Sequence, residues 1–289
     1  MNKTILVTGG SGFVGKELIR KLLFMNYHVI NIDIIPSGIE NIIEFNCDLS
    51  ADVIQDLPHL DVCVHLASGV GGILYNYKDN LIEYNTKIND NVFKICQDCN
   101  PVFIFISSLN VFECSNDILK LDPDSPYSAS KCRGEVFFQE RMTQCYVVRP
   151  PNLFGKSQIG EGDQPSRQSY GESHVIPDLI KKMSLAEDTI EVWGDGTQRR
   201  NFLHVSDLCD FLIHIFETLP EENIFNVRSN VTITISQLVS SLLKLFNKDD
   251  LSVIFNKFYM QYEKLHIDSI LPSLRIIGKI MDIETGLNL

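Results

Sequence analysis

The sequence predicts a doubly wound α/β fold, a mostly parallel sheet covered by helices on both faces. Three observations lead there. The first half alternates short β-branched runs with longer amphipathic stretches, the pattern of β-α-β units. Several of the runs are apolar on successive residues, as strands covered on both faces must be. The first run ends in three glycines spaced three apart, at Gly9, Gly12 and Gly15, and then enters an amphipathic stretch.

In chain order, Thr4 to Thr8, His28 to Asp33, Ile42 to Asn46, Val62 to Leu66, Val102 to Ser107 and Cys145 to Arg149 read as strands. Between the fourth and fifth, Leu81, Tyr84, Ile88, Val92 and Ile95 recur every three or four residues and form one apolar helix stripe. After Pro150 the pattern changes, and Gly, Ser, Gln and Pro crowd residues 155 to 173, as in a long loop. A helix from Val175 to Leu185, a strand from Ile190 to Trp193 and further elements after Ile235 are expected beyond it. At about 150 residues per domain, 289 residues hold one large or two joined domains. The expected division is 1–155 and a smaller C-terminal α/β unit at 156–289, with about 204–227 returning to the first sheet.

Composition excludes several classes. Hydrophobic residues at 44% and charged residues at 21% describe an ordinary globular chain. The net charge of -12 is spread without a basic block, which argues against nucleic acid and anionic membrane surfaces as partners. No apolar run approaches the roughly 18 residues of a membrane span, and the first eight residues are needed as a strand rather than a signal peptide. The eight cysteines lack the spacing of a disulfide framework, and reduced thiols in a cytoplasmic protein are expected. Cys96 and Cys99 stand alone, without a second pair at ligand spacing, so no metal is expected.

The glycine segment, Thr8-Gly9-Gly10-Ser11-Gly12-Phe13-Val14-Gly15, lies where a strand turns into a helix. There the first glycine permits the turn, the second lets a pyrophosphate approach the backbone, and the third allows close helix-to-strand contact. The helix N-terminus at Phe13 and Val14 then offers free N–H groups and its positive dipole end to phosphate. Eighteen residues past Gly15, Asp33 ends the second strand, where a carboxylate can hold both hydroxyls of an adenosine ribose and repel a 2′-phosphate. Ile34, Ile35 and Pro36 follow it and Ser11 brings no positive charge to the loop, so NAD(H) is favoured, with NADP(H) the alternative. Asp48, after the third strand, is placed to hold the adenine amino group.

Tyr127 and Lys131 stand four apart on a predicted helix and project from one face. An ammonium beside a phenol favours the phenolate, so the pair can pass a proton to or from a carbinol oxygen as hydride moves. Ser108, at a strand end, can hydrogen-bond the same oxygen.

Together with these motifs, His65-Leu66-Ala67-Ser68, Arg149-Pro150-Pro151-Asn152-Leu153-Phe154-Gly155 and Gly194-Asp195-Gly196-Thr197-Gln198-Arg199-Arg200-Asn201-Phe202-Leu203-His204-Val205 make the chain resemble the extended short-chain dehydrogenase/reductases acting on nucleotide sugars. Val70-Gly71-Gly72-Ile73, Ser173-His174-Val175-Ile176-Pro177 and Val192-Trp193-Gly194 are most similar to its GDP-L-fucose synthase branch. The resemblance implies a Rossmann-type sheet and a hydride-transfer triad of Ser108, Tyr127 and Lys131. It implies cofactor contacts from Gly9, Ser11, Gly12, Phe13, Val14, Gly15, Asp33, Asp48, Leu49, Leu66, Ala67 and Ser68, besides Tyr127 and Lys131. It implies substrate contacts from Val70, Gly71, Ser108, Asn110, Asn152, His174, Val175, Trp193 and Arg200, with Arg199 able to add a second charge.

Two departures narrow the chemistry. His174 matches the family's epimerisation acid, but Asn110 stands where the cysteine base is expected, and an amide cannot deprotonate carbon. Leu109-Asn110 replace the Asp-Glu pair of the 4,6-dehydratases, so elimination of water is not expected. Gly286 to Leu289 fall where family members continue into a further helix, so a different edge to the substrate-side unit is expected. The expected activity is NAD(P)H-dependent reduction of a nucleotide-linked 4-keto-(6-deoxy) sugar in surface-glycan synthesis. The alternatives are a 4-epimerase with tightly held NAD and a non-catalytic NAD-sensing protein. A nucleotide-diphosphate sugar is the expected substrate, and a homodimer is expected through helices such as that carrying Tyr84 and Val92.

Overall fold

A computed structural model describes residues 3–72, 74–112, 120–156, 174–258, 274–277 and 283–288. The first half runs β1 (Thr4–Thr8), α1 (Phe13–Phe24), β2 (His28–Asp33), β3 (Ile43–Asn46), β4 (Val62–His65), α2 (Leu81–Cys96), β5 (Val102–Ile106), α3 (Pro126–Arg141) and β6 (Cys145–Arg149). β7 (Asn152–Phe154), α4 (Val175–Leu185), β8 (Thr189–Trp193), β9 (Arg199–His204), α5 (Val205–Thr218), β10 (Ile224–Arg228), β11 (Thr232–Thr234), α6 (Ile235–Leu245), β12 (Ser252–Asn256), β13 (Arg275–Ile276) and α7 (Ile283–Asn288) follow.

The main sheet has eight parallel strands in the order β13-β10-β6-β5-β4-β1-β2-β3. This is the doubly wound, Rossmann-like α/β architecture. Strand order reverses between β1 and β4, and open α/β sheets bind ligands beyond the carboxyl ends of their strands at such a point. Register brings those ends level: Thr8 pairs with Ile32 and His65, His65 with Phe105, and Ile106 with Val148. The strands after Asp61 and Pro101 each stop one residue before the sequence suggests, at His65 and Ile106, where the chain leaves the edge.

Alternation along each strand divides the core in two. Ile5, Val7, Val64, Ile104 and Val148 face α1 and α5, while Leu6, Ile32, Cys63, Phe103 and Val147 face α2 and α3. Ile88 and Val92 of the helix stripe are buried on the second side, with Val92 fully covered, and Leu81 is buried as well. Val92 thus packs inward, while the outward face of α2 carries Glu83, Thr86, Lys87 and Lys94.

A third apolar cluster joins α4, α6 and α7 through Ile176, Leu179, Leu238, Leu242 and Leu287. Around it, β7 pairs with β9 and β9 with β11, while β8 pairs with β12. Residues 157–173, most of the long loop, and Cys114 lie outside the described residues. Cys63, Cys96, Cys145 and Cys209 are buried thiols. Among the described residues no helix is long and apolar enough to cross a membrane.

Candidate active site

The turn after β1 is shaped by what its glycines touch. Gly9 takes φ +72°, a left-handed conformation that an L side chain resists, and a Cβ there would lie 2.7 Å from the Ala67 nitrogen. At Gly15 a Cβ would collide with the Gly9 carbonyl and the Gly10 backbone, so α1 can start this close to β1 only without a side chain. Gly12 is the N-cap of α1 and no side chain caps the helix, so its first N–H groups point out of the turn. The side chains of Phe13 and Val14 pack on the first core cluster, leaving their backbone to face the turn.

Asp33 closes this site from β2. Its Oδ2 accepts the Ser11 N–H at 2.9 Å, its Oδ1 accepts the Ile35 N–H at 3.4 Å, and burial raises its pKa against the pull of those bonds. Ser11 donates its hydroxyl to the Ile35 carbonyl at 2.6 Å. Beneath them Asn31, fully buried, donates to the Ser11 hydroxyl at 3.1 Å and to Glu44 Oε1 at 2.8 Å, and Glu44 also accepts the Ser37 N–H at 2.7 Å. The loop after β2 is thereby tied to the glycine turn. Asp48 is exposed and accepts the Ser50 N–H at 2.9 Å. Leu49 is core, 4% exposed, and its carbonyl is taken by Asn91 at 2.9 Å, so its side chain is not presented to a ligand.

The loop after β4 is held from below. His65 is 1% exposed; the Thr8 hydroxyl donates to its Nδ1 at 2.7 Å, and its Nε2–H donates to Asn89 Oδ1 at 3.1 Å. Burial pushes this imidazole down to about 3. The Leu66 N–H bonds the Thr8 carbonyl and the Ala67 N–H the Thr8 hydroxyl, which sets Leu66, Ala67 and Ser68 against the glycine turn. Asn85, on α2, accepts the Gly69 N–H at 2.6 Å and donates to the Ser130 hydroxyl at 2.8 Å, coupling this loop to α3. Beyond it Val70 is half-buried, and Gly71, buried, donates its N–H to Asn76.

α3 begins with a capping box: Ser125 accepts the Ser128 N–H, Ser128 returns a bond to the Ser125 N–H, and Pro126 opens the helix. Tyr127 therefore lies in the first turn, 7% exposed, with Lys131 one turn on, 6% exposed. The Lys131 Nζ lies 5.8 Å from the Tyr127 ring centroid and donates to the Ile106 carbonyl at 2.9 Å. Burial pushes its pKa down to about 8, and the charge of Glu135 opposes that shift. Past Ile106 the chain stays on β6, with Ser107 N–H bonding Val148 and Leu109 N–H bonding Pro150. Ser108 is thus carried beyond the strand end, and its hydroxyl accepts the Asn110 N–H at 3.2 Å. The turn Leu109–Phe112 and β5 both pack on α3.

The remaining expected residues sit on the elements of the third cluster. Asn152 opens β7 and pairs with Phe202 of β9, in the three-stranded sheet β11-β9-β7. His174 is the exposed N-cap of α4, and Val175 starts that helix. Trp193 ends β8 with the Lys182 ammonium 5.1 Å from its ring centroid. Arg200 is half-buried, and burial lowers its pKa to about 10. Arg199 and Arg200 are consecutive in β9, so they point to opposite faces.

Sequence reasoning missed Asn31, Asn85, Asn89 and Asn91. Asn85, Asn89 and Asn91 are buried in α2, and their signal was available as polar residues set among apolar ones at helical spacing.

A parallel sheet with a glycine turn at its switch point, and Tyr127 and Lys131 above the next strand ends, defines a Rossmann-type α/β protein of the dinucleotide-site class. The chain belongs to the NAD dependent epimerase/dehydratase family, whose model matches residues 5–227. It is 24% identical over 274 residues to a dTDP-4-dehydro-6-deoxy-D-allose reductase of Streptomyces bikiniensis, covering 83% of this chain and 81% of that one. It is 30% identical over 224 residues to a putative UDP-glucose 4-epimerase of Methanocaldococcus jannaschii, covering 71% and 70%. Its fold matches the solved structure of TunA, an NAD dependent NDP-hexosamine 5,6-dehydratase, with TM-score 0.77 and 22% identity over 99% of this chain and 96% of that one.

Proposed function

We propose that this protein reduces a nucleotide-linked 4-keto-(6-deoxy) sugar with NADH. The observation that carries the reading is the buried Tyr127–Lys131 pair beside the Ser108 turn, at the same sheet edge as the glycine turn and Asp33. The residues present fit a dinucleotide: an uncapped helix start for the pyrophosphate and a carboxylate at the end of β2 for the ribose. When bound, the nicotinamide supplies the hydride. Tyr127 delivers the proton to the sugar oxygen, Lys131 stabilises the phenolate left behind, and Ser108 hydrogen-bonds the same oxygen. Asn152, His174, Trp193 and Arg200 bind the sugar and its diphosphate, and Asn110, an amide, cannot act as a carbon base at its position. The likeness to a dTDP-linked keto-sugar reductase supports this choice.

A second reading is 4-epimerisation with tightly held NAD, favoured by the 30% identity to a putative UDP-glucose 4-epimerase. Turnover on GDP-, dTDP-, CDP- and UDP-linked 4-keto sugars, with product stereochemistry assigned, separates them. Stoichiometric NADH consumption is the expected result; isomerisation of an NDP-hexose without added cofactor would replace reduction by epimerisation. NADH is expected to outperform NADPH, and Asp33→Ala to narrow that gap at least about tenfold, the factor that ~1.4 kcal/mol of repulsion produces. An NADPH preference in the native protein would remove the assignment of Asp33.

A further inference from the structure

Next to the proposed proton pair lies a buried ion pair that this chemistry leaves unused. Glu135 follows Lys131 by four residues and Tyr127 by eight, so the three line one face of α3. It is 1% exposed, and its partner Arg149, at the end of β6, is 5% exposed. Arg149 donates from Nε to Oε1 at 2.9 Å and from Nη2 to Oε2 at 2.5 Å, a two-point grip on the carboxylate. The Ser107 hydroxyl donates to Oε1 as well. Arg149 also donates to Asn226 Oδ1 at 3.1 Å, and its guanidinium lies 5.2 Å from the centroid of Phe112.

These contacts meet at both ends of one short segment. Ser107 precedes Ser108, and Phe112 closes the turn that follows it, so the ion pair touches the segment carrying Ser108 on either side. Tethering alone does not account for a charge here, because apolar side chains of similar volume hold two elements together as well or better. Lys131, by contrast, has a use for it. Its ammonium is sealed from water with a backbone carbonyl as hydrogen-bond partner, and the carboxylate one helical turn on acts on it through space.

We propose that Glu135 is a positioning residue for the Tyr127–Lys131 pair: clamped by Arg149 and Ser107, its carboxylate is the buried counter-charge beside Lys131 and fixes the turn that presents Ser108. This inference rests on reading Tyr127, Lys131 and Ser108 as the proton-handling groups, but its test needs no turnover. Among the described residues, the ionisable groups around Lys131 are Tyr127 and Glu135 on α3, His65 on β4 and, behind Glu135, Arg149 and Cys145 on β6. His65 is neutral above about pH 3, so it does not titrate with Lys131. Removing the carboxylate charge leaves Arg149 unbalanced, and Lys131 then loses its proton at lower pH.

The experiment is a titration of ¹³C-labelled lysine Cε resonances in the protein without substrate, with Lys131 assigned by the signal lost in Lys131→Met. The native midpoint is expected near 8. Glu135→Gln is expected to lower it by about one pH unit or more. Arg149→Lys and Ser107→Ala keep the carboxylate and leave the midpoint within a few tenths. An unchanged midpoint in folded Glu135→Gln overturns the proposal. Should that variant not fold, Glu135→Asp withdraws the same charge by one methylene and must shift the midpoint in the same direction; no shift there overturns it equally. A moved midpoint in a protein that turns over no keto sugar keeps this inference and sinks the proposed function. A fixed midpoint with turnover intact does the reverse.

Discussion

Each nitrogen of the His65 ring has one partner, and together they assign its tautomer. Asn89 offers a carbonyl oxygen to Nε2–H, so Nδ1 is the lone pair that accepts from Thr8. A proton added to Nδ1 would place a charge in a buried site, and burial opposes it. The folded-state pKa is about 3 and the unfolded value 6.5, so below pH 6.5 the unfolded chain binds more protons and stability falls with pH. From this residue alone, about 2 kcal/mol is expected to be lost between pH 7 and pH 5. His65→Gln, which can accept and donate at similar positions, should flatten that slope in urea unfolding curves; equal slopes in the two proteins would deny His65 this role. Lys131 carries the same sign in a higher pH window. Its folded pKa near 8 lies below the unfolded 10.5, so its burial penalty is present at pH 7 and is relieved as pH rises between those values. For the proposed reaction, turnover is expected to decline on an alkaline limb near pH 8 as the ammonium is lost. Tyr127→Phe is expected to reduce it by roughly 10²- to 10⁴-fold with dinucleotide binding retained. Full turnover in that variant would remove Tyr127 from the chemistry.

Among the elements, the junction of β1 and α1 depends most on a single position. Because a Cβ at Gly15 collides with the Gly9 carbonyl and Gly10, Gly15→Ala must push the start of α1 away from the turn. The expected cost is about 1–3 kcal/mol of stability, the usual range for overpacking. Dinucleotide affinity should fall with it, because the helix N–H groups move with the turn; fluorescence titration with NADH reads the loss, and native affinity would show that the turn is not the site. This junction was legible in the sequence because its constraints are local: an apolar run, three glycines at fixed spacing and a carboxylate closing the next strand. The strands of the first half were legible for the same reason, each a run of apolar, mostly β-branched residues. What the sequence hid is held by side chains reaching across elements. Asn85 interrupts the α2 stripe and reads there as noise, yet it joins the Gly69 loop to Ser130. Glu135 reads as one more helix charge, and only the approach of β6 turns it into the partner of Arg149. Arg199 and Arg200 read in the sequence as one doubled charge, and only the strand β9 sets them on alternate faces.

At the scale of the whole molecule, the first 155 residues do not complete their own core. α5 covers the sheet beside α1, and Leu208, Leu212, Ile215 and Phe216 are fully buried there together with Val148 and Ile104. β10 then pairs with β6 through Ile224, Phe225 and Asn226. Losing the burial of those four α5 side chains forfeits roughly 6–12 kcal/mol, at 1.5–3 for each. That matches the whole net stability of an ordinary domain, about 5–15 kcal/mol. A fragment of residues 1–155 is therefore expected to lack a cooperative unfolding transition and to expose apolar surface that binds hydrophobic dye. Residues 204–228 should restore the transition when rejoined by a flexible linker of about ten residues. A short linker suffices because Phe154 and His204 are register partners, and the Gly155 backbone lies against Val205. Differential scanning calorimetry of the two fragments decides it. Cooperative unfolding of 1–155 alone would mean that the sheet up to β6 is self-sufficient and that α5 and β10 merely decorate it. Recovery only on rejoining would mean that the dinucleotide-site sheet is assembled from two separated stretches of chain, with α4 and β8 of the third cluster inserted between them and α6 and α7 following the second.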